Sequence, residues 1–390
     1  MTPSARVQAA IEILDSVIAA ARANGAPADR IIADWFRARR FAGSKDRRAV
    51  RELTYRAIRV CGEIPVSGRA AMLRVAQDNP DLAALFDGTR HAPEMITPDE
   101  PVAGRGAAPD WLMARLARSG VSAEAAAHLL DRAPLDVRLN TLVGAIEDLP
   151  EGGEKTAAAH GWRYPPDTRI EPTEAYARGA IEVQDTGSQL TCEVVGAVPG
   201  ETVVDLCAGA GGKTLALAAS MANRGRLVAC DSDRTRLSRL APRAERAGAF
   251  PIETILLNPG KEAASLTGLV GQADAVLVDA PCSGTGTWRR NPEARWRLTD
   301  RQLLRYAATQ AHLLDLAATL VKPEGRLVFV TCSLLDVEGA EQVEGFLARN
   351  PGWRADTIEL PAGTPRGLGL RLSPESDGTD GFFVARFKRL

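Results

Sequence analysis

The chain has 390 residues, 45% apolar and 25% charged, which suits two or three domains of about 150 residues with sizeable cores. Its 48 Lys plus Arg against 49 Asp plus Glu give a formal net charge of -1. That excludes a uniformly basic, nucleic-acid-coating surface and leaves room only for a local basic patch. No apolar run approaches the roughly 18 residues that span a bilayer. Asp15 interrupts the only candidate for a signal peptide, so the chain reads as cytoplasmic, with no membrane partner. Six cysteines (Cys61, Cys192, Cys207, Cys230, Cys282, Cys332) form no CxxC pair, and there are four histidines. Reduced thiols and no metal site are therefore expected.

Residues 1–90 read as an all-helical domain. Val7, Ile11, Leu14, Val17 and Ile18 recur at helical spacing, followed by Ile31, Ile32, Trp35 and Phe36, and then by Val50, Leu53, Tyr55 and Ile58. Between residues 30 and 59 there are ten basic side chains against three acidic ones, a local net of +7. Such a surface either binds phosphates or is a solvated helical face. Residues 91–109, with Pro93, Pro98, Pro101, Gly104 and Gly106 and no periodicity, read as a linker. Residues 110–175 read as a small mixed α/β unit, with helices around Trp111–Leu116 and Glu124–Leu130 and a strand at Val137–Leu139. From 176 to 390, apolar strands alternate with helices. Strands are expected near Val203–Leu206, Arg226–Cys230, Ile252–Leu257, Ala275–Asp279 and Arg326–Thr331. This alternation implies an α/β fold, a Rossmann-like doubly wound parallel sheet. Two tail strands, Arg354–Glu359 and Gly381–Lys388, have no helix between them and imply an antiparallel edge.

The first of these strands runs into Cys207-Ala208-Gly209-Ala210-Gly211-Gly212-Lys213-Thr214. A phosphate-binding P-loop needs glycine five residues before the Gly-Lys pair, and Cys207 stands there. A dinucleotide turn would want glycine where Thr214 stands. What remains is a D-x-C/G-x-G-x-G turn that suits S-adenosylmethionine, which has no pyrophosphate to cradle. Asp231, at the end of the second strand, is placed to accept the ribose hydroxyls.

Two further strands end in cysteine motifs, Asp279-Ala280-Pro281-Cys282-Ser283-Gly284-Thr285-Gly286 and Thr331-Cys332-Ser333. Ligands of open parallel sheets bind outside the carboxyl ends of the strands. If these two strands are neighbours, both thiols face one pocket. Methylation of a pyrimidine carbon wants this set. Carbon 5 of cytosine is a weak nucleophile until a thiolate adds at carbon 6, and a carboxylic acid near N3 can stabilise the adduct.

These motifs, with Val183-Gln184-Asp185, Ser188-Gln189, Arg289-Arg290-Asn291-Pro292 and Asp380-Gly381-Phe382-Phe383, resemble those of Sun/Fmu-type RNA cytosine-C5 methyltransferases. The likeness is greatest to the RsmB group, which acts on small-subunit ribosomal RNA, and it is strong from about residue 110 to the end. It implies a class I methyltransferase domain at 176–390, a small RNA-binding subdomain at 110–175 and S-adenosylmethionine as cofactor. It further implies Cys332 as nucleophile, Cys282 in product release and Asp279 as the acid near N3 and part of the cofactor site. Cys207, Ala208, Gly209, Ala210, Gly211, Gly212 and Lys213 would form the cofactor loop, with Asp231 on the ribose. Asn258 stands where the family has an aspartate near the adenine, and Ala210 where it has a proline. The helices at 1–90 resemble the antitermination factor NusB through Ala28-Asp29-Arg30 and Gly43-Ser44-Lys45-Asp46-Arg47-Arg48. This implies RNA contacts by Arg39, Arg40, Arg47 and Arg48. The partner expected is RNA, ribosomal by resemblance with transfer RNA open, and the chain is expected to be a monomer.

Three rival readings have distinct marks. A DNA cytosine methyltransferase would use the Pro-Cys cysteine and carry Glu-Asn-Val, which is absent. A non-catalytic RNA-binding assembly factor would tolerate loss of Cys332 or the glycine loop, and both are present. A cysteine hydrolase needs a histidine partner. His312, beside Leu313 and Leu314, is the only nearby candidate and is expected in the core.

Overall fold

The computed structural model describes all 390 residues. Contacts divide the chain into two units, Met1–Asp131 with Thr287–Thr299, and Arg132–Gly286 with Asp300–Leu390. No helix is long and apolar enough to cross a membrane.

The first unit is helical. Its main helices are Pro3–Arg22, Ala28–Ala38, Ser44–Val60 and Gly68–Gln77. The apolar stripe Val7, Ile11, Leu14, Val17 and Ile18 is buried, as its three- and four-residue spacing requires. Thr2 caps the first helix by accepting from the Ala5 N–H (3.2 Å), and Pro3 occupies a position where no helical N–H is needed. The helices Asp110–Arg118 and Ala123–His128 also belong to this unit, so the division falls at Asp131 rather than at the proline-rich stretch before residue 110.

The segment Thr287–Thr299 completes the same core. Trp296 is buried among its apolar side chains and donates from Nε1 to the Cys61 carbonyl (3.2 Å). Glu293 accepts from the Ala28 N–H (2.9 Å). Arg295 is fully buried and donates to the carbonyls of Ile58 (2.6 Å) and Cys61 (2.8 Å). Burial lowers its pKa to about 9.

The second unit holds two sheets. The smaller is antiparallel and contains β1 (Leu135–Leu139), β2 (Glu154–Lys155), β3 (Gly161–Tyr164) and β4 (Ile181–Val183), in the order β2-β3-β1-β4. Buried Asp136 on β1 pairs with Arg163 on β3 (2.7 Å) and accepts from the Thr186 hydroxyl (2.6 Å), tying this sheet to the helix Thr186–Val195.

The larger sheet contains β5 (Thr202–Asp205), β6 (Arg226–Asp231), β7 (Ile252–Leu256), β8 (Ala273–Asp279) and β9 (Val321–Thr331), followed by β10 (Trp353–Asp356), β11 (Thr364–Arg366), β12 (Gly369–Leu372) and β13 (Phe382–Arg389). Its order is β11-β12-β13-β9-β8-β5-β6-β7, with β10 also on β13. β5 to β9 are mutually parallel and β13 runs antiparallel to β9. The fold is therefore the expected Rossmann-like α/β sheet with an antiparallel edge.

Alternation builds its two layers. Val204, Val228, Val276, Val278, Leu327 and Phe329 face the helices Asp300–Leu320 and Ala340–Arg349. Val203, Leu227, Ala229, Ala275, Leu277 and Val328 face Thr186–Val195, Gly212–Ser220 and Leu240–Arg246. Both faces are covered, which explains why the central strands are nearly continuous apolar runs. The strand order reverses between β5 and β8, and the carboxyl ends there open onto the site.

Candidate active site

β5 ends in Asp205 and passes into the glycine turn. Gly209 and Gly211 have φ of +55° and +88°, the left-handed region that glycine enters without strain. Gly211 caps the helix Gly212–Ser220. The turn is held from the neighbouring strand: the Gly209 N–H donates to Asp231 Oδ2 (2.7 Å) and the Ala208 N–H to the Cys230 carbonyl (2.8 Å). Asp231 Oδ1 accepts from the Asp233 N–H (2.7 Å). Each carboxylate oxygen thus takes one backbone bond and keeps a lone pair for a ligand hydroxyl. A Cβ at Gly212 would meet nothing within 4 Å, so at that position the backbone faces open space, whereas a Cβ at Gly209 or Gly211 would press on Arg236 or Leu240. Asn258 lies exposed just beyond β7, one residue after the Leu257 N–H that donates to the Asp231 carbonyl (2.9 Å).

Lys213, in the first turn of that helix, donates from Nζ to Asp279 Oδ2 (2.7 Å) at the end of β8. Burial works against its charge, but the Asp279 carboxylate outweighs that and holds the ammonium pKa above its ordinary value. Asp205 is fully buried. It accepts from the Thr214 hydroxyl at Oδ2 (2.7 Å), and Oδ1 has no partner. Burial, reinforced by the nearby Asp279 charge, pushes it up to about 7. Burial also pushes the Cys207 thiol well up.

β8 and β9 are parallel neighbours, with Asp279 opposite Val330. The residues that follow them bring Cys282 Sγ and Cys332 Sγ to 3.3 Å, both half-buried. The contact with Cys332 raises the Cys282 pKa well above its ordinary value, with further contributions from burial and from the Glu338 carboxylate. The loops are pinned by backbone: the Gly286 N–H donates to the Cys332 carbonyl (3.0 Å) and the Gly381 N–H to the Gly286 carbonyl (2.8 Å). A Cβ on Gly286 would sit 2.1 Å from the Gly381 carbonyl oxygen, so only glycine allows this crossing.

His312 is not a core residue. It stands exposed on Asp300–Leu320 with Nε2 3.6 Å from Glu262, a surface ion pair rather than a thiol partner. Its two leucine neighbours are buried, but a helix turns about 100° per residue and carries His312 onto the outer face.

The structure thus brings together the glycine turn, Asp231, Lys213, Asp279, Cys282 and Cys332. Sequence reasoning did not single out Glu338, and it read Asp205 only as the aspartate that opens the glycine-turn motif. Glu338 lies six positions after Cys332 in a short 3₁₀ turn, where no periodicity marks it.

The model of the 16S rRNA methyltransferase RsmB/F family matches residues 193–388. A ribosomal RNA small subunit methyltransferase B of Salmonella enteritidis is 32% identical over 331 residues, 80% of this chain and 74% of that protein. The chain belongs to the RsmB/F methyltransferase family. A probable ribosomal RNA small subunit methyltransferase B of Synechocystis is 34% identical over 303 residues, 72% of this chain and 66% of that protein. The matches span from about half to three quarters of the length of these curated relatives. Among solved structures, PH0851 has the same fold, with a TM-score of 0.77 at 23% identity, covering 98% of this chain and 99% of that one. The sheet order and the cysteine pair described above are thus those of a member of an RNA methyltransferase family.

The four arginines expected to contact RNA lie in the helical unit, and they differ. Arg39 is 4.1 Å from the centre of the Trp35 ring and pairs with Glu12 (3.3 Å). Arg47 donates from Nε to the Ala42 carbonyl (2.9 Å). Arg40 and Arg48 are exposed.

Proposed function

We propose that this chain methylates carbon 5 of cytosine in RNA, with ribosomal RNA as the substrate, through a covalent adduct between Cys332 and carbon 6. The observation that carries the reading is the 3.3 Å pair of thiols at the ends of adjacent parallel strands, beside the Lys213–Asp279 pair. The glycine turn and the spare lone pairs of Asp231 fit S-adenosylmethionine, with Asn258 at the adenine end. Bound there, S-adenosylmethionine would supply an electrophilic sulfonium methyl and be left as the thioether S-adenosylhomocysteine.

Cys332 sulfur adds to carbon 6 as a thiolate, and the ring electrons move toward N3. The Lys213–Asp279 pair faces N3 and shares a proton with it, so that charge does not accumulate on the ring. The enamine thus formed makes carbon 5 nucleophilic, and carbon 5 gains the methyl group. Release requires loss of the carbon 5 proton and cleavage of the sulfur–carbon 6 bond, which returns the electron pair to Cys332. Cys282 is placed to assist that step.

The test is a pair of variants incubated with ribosomal RNA and cofactor. Cys332→Ala should form neither product nor adduct. Cys282→Ala should methylate once and retain an RNA–protein adduct that survives denaturing electrophoresis. An adduct trapped by the Cys332 variant would reverse the roles, and adducts with neither variant nor wild type would remove the covalent reading.

A further inference from the structure

Glu338 is a fully buried carboxylate beside the thiol pair, and the mechanism above does not use it. It sits at the end of a 3₁₀ turn, Asp336–Glu338, packed under both cysteine loops. Its Oε1 accepts from the Ser283 N–H (2.8 Å) and from Gln310 Nε2 (3.1 Å). Its Oε2 accepts from the Ser333 hydroxyl (2.6 Å) and from the Ser283 hydroxyl. Ser283 immediately follows Cys282 and Ser333 immediately follows Cys332. One carboxylate therefore holds the residue next to each thiol.

The surrounding bonds point the same way. The two serine hydroxyls are 3.2 Å apart, and Thr285 Oγ1 is 3.1 Å from Ser333 Oγ. The Leu335 N–H donates to Ser333 Oγ (3.1 Å) and the Leu334 N–H to Thr285 Oγ1 (2.9 Å). Gln310 donates from Nε2 to the Pro281 carbonyl as well (3.0 Å), so the helix Asp300–Leu320 joins the network. The turn itself is fixed, because Thr331 at the end of β9 donates its hydroxyl to the Glu338 carbonyl (3.0 Å), and Asp336 pairs with Arg366 and with Arg371 (3.0 Å).

Burying a carboxylate costs free energy unless it is well bonded. Here every bond it makes except that from Gln310 goes to a residue adjoining a thiol. An apolar residue would pack in this place without holding the loops.

We propose that Glu338 is a positioning residue that sets the distance between Cys282 and Cys332 by clamping Ser283 and Ser333 together. The proposal rests on the reading of those thiols as the reacting pair, but its geometry can be tested without RNA. Dibromobimane, a short thiol-to-thiol cross-linker, should join Cys282 to Cys332 readily in the wild type, as mapped by peptide mass. In Glu338→Ala the link should form about tenfold more slowly or worse. Labelling of Cys332 by a monofunctional reagent should stay within about twofold, and labelling of Cys282 should not slow, since loss of the Glu338 carboxylate removes one of the influences that raise its pKa. Glu338→Gln, which keeps one acceptor oxygen, should fall between. On ribosomal RNA, kcat should drop in the order Gln then Ala while KM holds.

Wild-type cross-linking in a Glu338→Ala protein that still binds cofactor would overturn the proposal. If that variant does not fold, the double variant Ser283→Ala, Ser333→Ala decides by the same criterion. Slower cross-linking in the Glu338 variants, together with no RNA adduct in Cys282→Ala, would leave the clamp standing and remove the proposed reaction.

Discussion

Asp231 is the residue whose replacement should separate cofactor binding most cleanly from chemistry. Its two oxygens accept one backbone N–H each, from Gly209 and Asp233, both at 2.7 Å. Alanine loses both bonds and the acceptor offered to the ribose. Asparagine is nearly isosteric, yet it has one acceptor oxygen where two are used, so its NH₂ must face one of the two N–H groups. A hydrogen bond to a charged group contributes about 1.5–3 kcal/mol. Losing one such interaction should weaken binding by about 10- to 150-fold. Calorimetry with S-adenosylhomocysteine should therefore show Asp231→Ala weakened by that factor, and Asp231→Asn no better than Ala within about threefold. An analogue lacking both ribose hydroxyls should bind the wild type more weakly by a similar factor and leave Asp231→Ala indifferent. Wild-type affinity in either variant, or undiminished discrimination against the analogue in Asp231→Ala, would refute the assignment.

Asp205 should make stability depend on pH. Its folded pKa, about 7, lies above the ordinary carboxylate value, so the folded state holds a proton that the unfolded chain has already released. Stability should therefore fall as pH rises from about 5 to about 7, by on the order of 2 kcal/mol, and level off above. Urea midpoints should show this slope in the wild type and not in Asp205→Asn; equal slopes would refute it. For the basic surface, each phosphate contact in single-stranded RNA steepens the salt dependence by about 0.7. Because Arg39 and Arg47 already have internal partners, Arg40→Ala with Arg48→Ala should flatten the slope by about 1.4, and more than Arg39→Ala with Arg47→Ala. The same slope in all three proteins would make this a solvated face.

The parallel strands were legible in the sequence because each is buried on both faces and reads as a short apolar run. Val203–Leu206 is observed at Thr202–Asp205 and Ala275–Asp279 at Ala273–Asp279. β9 begins at Val321, earlier than expected, through Lys322-Pro323-Glu324-Gly325, which carries no apolar alternation and meets a register shift opposite Ala273. The hairpin of β11 and β12 was not expected, since Pro365, Gly367 and Gly369 read as loop. The thiol pair was legible because two matching motifs end neighbouring strands. Glu338 was not, because what distinguishes it is burial and partners such as Ser283 and Gln310 that are distant in the chain. Asp205 was legible as the aspartate of the turn motif, but its raised pKa comes from burial, which the local sequence does not show.

The segment Thr287–Thr299 bears on how the helical unit comes to exist. Its core waits for Trp296 and Arg295, which the chain supplies only after residues 132–286 of the other unit have been made. Until then the carbonyls of Ile58 and Cys61 lack the donors that satisfy them in the finished protein. A fragment ending at Asp131 lacks the tryptophan that fills this core. The complete helical core therefore needs two separate stretches of chain, and the second is synthesised only after the strand that leads into the glycine turn.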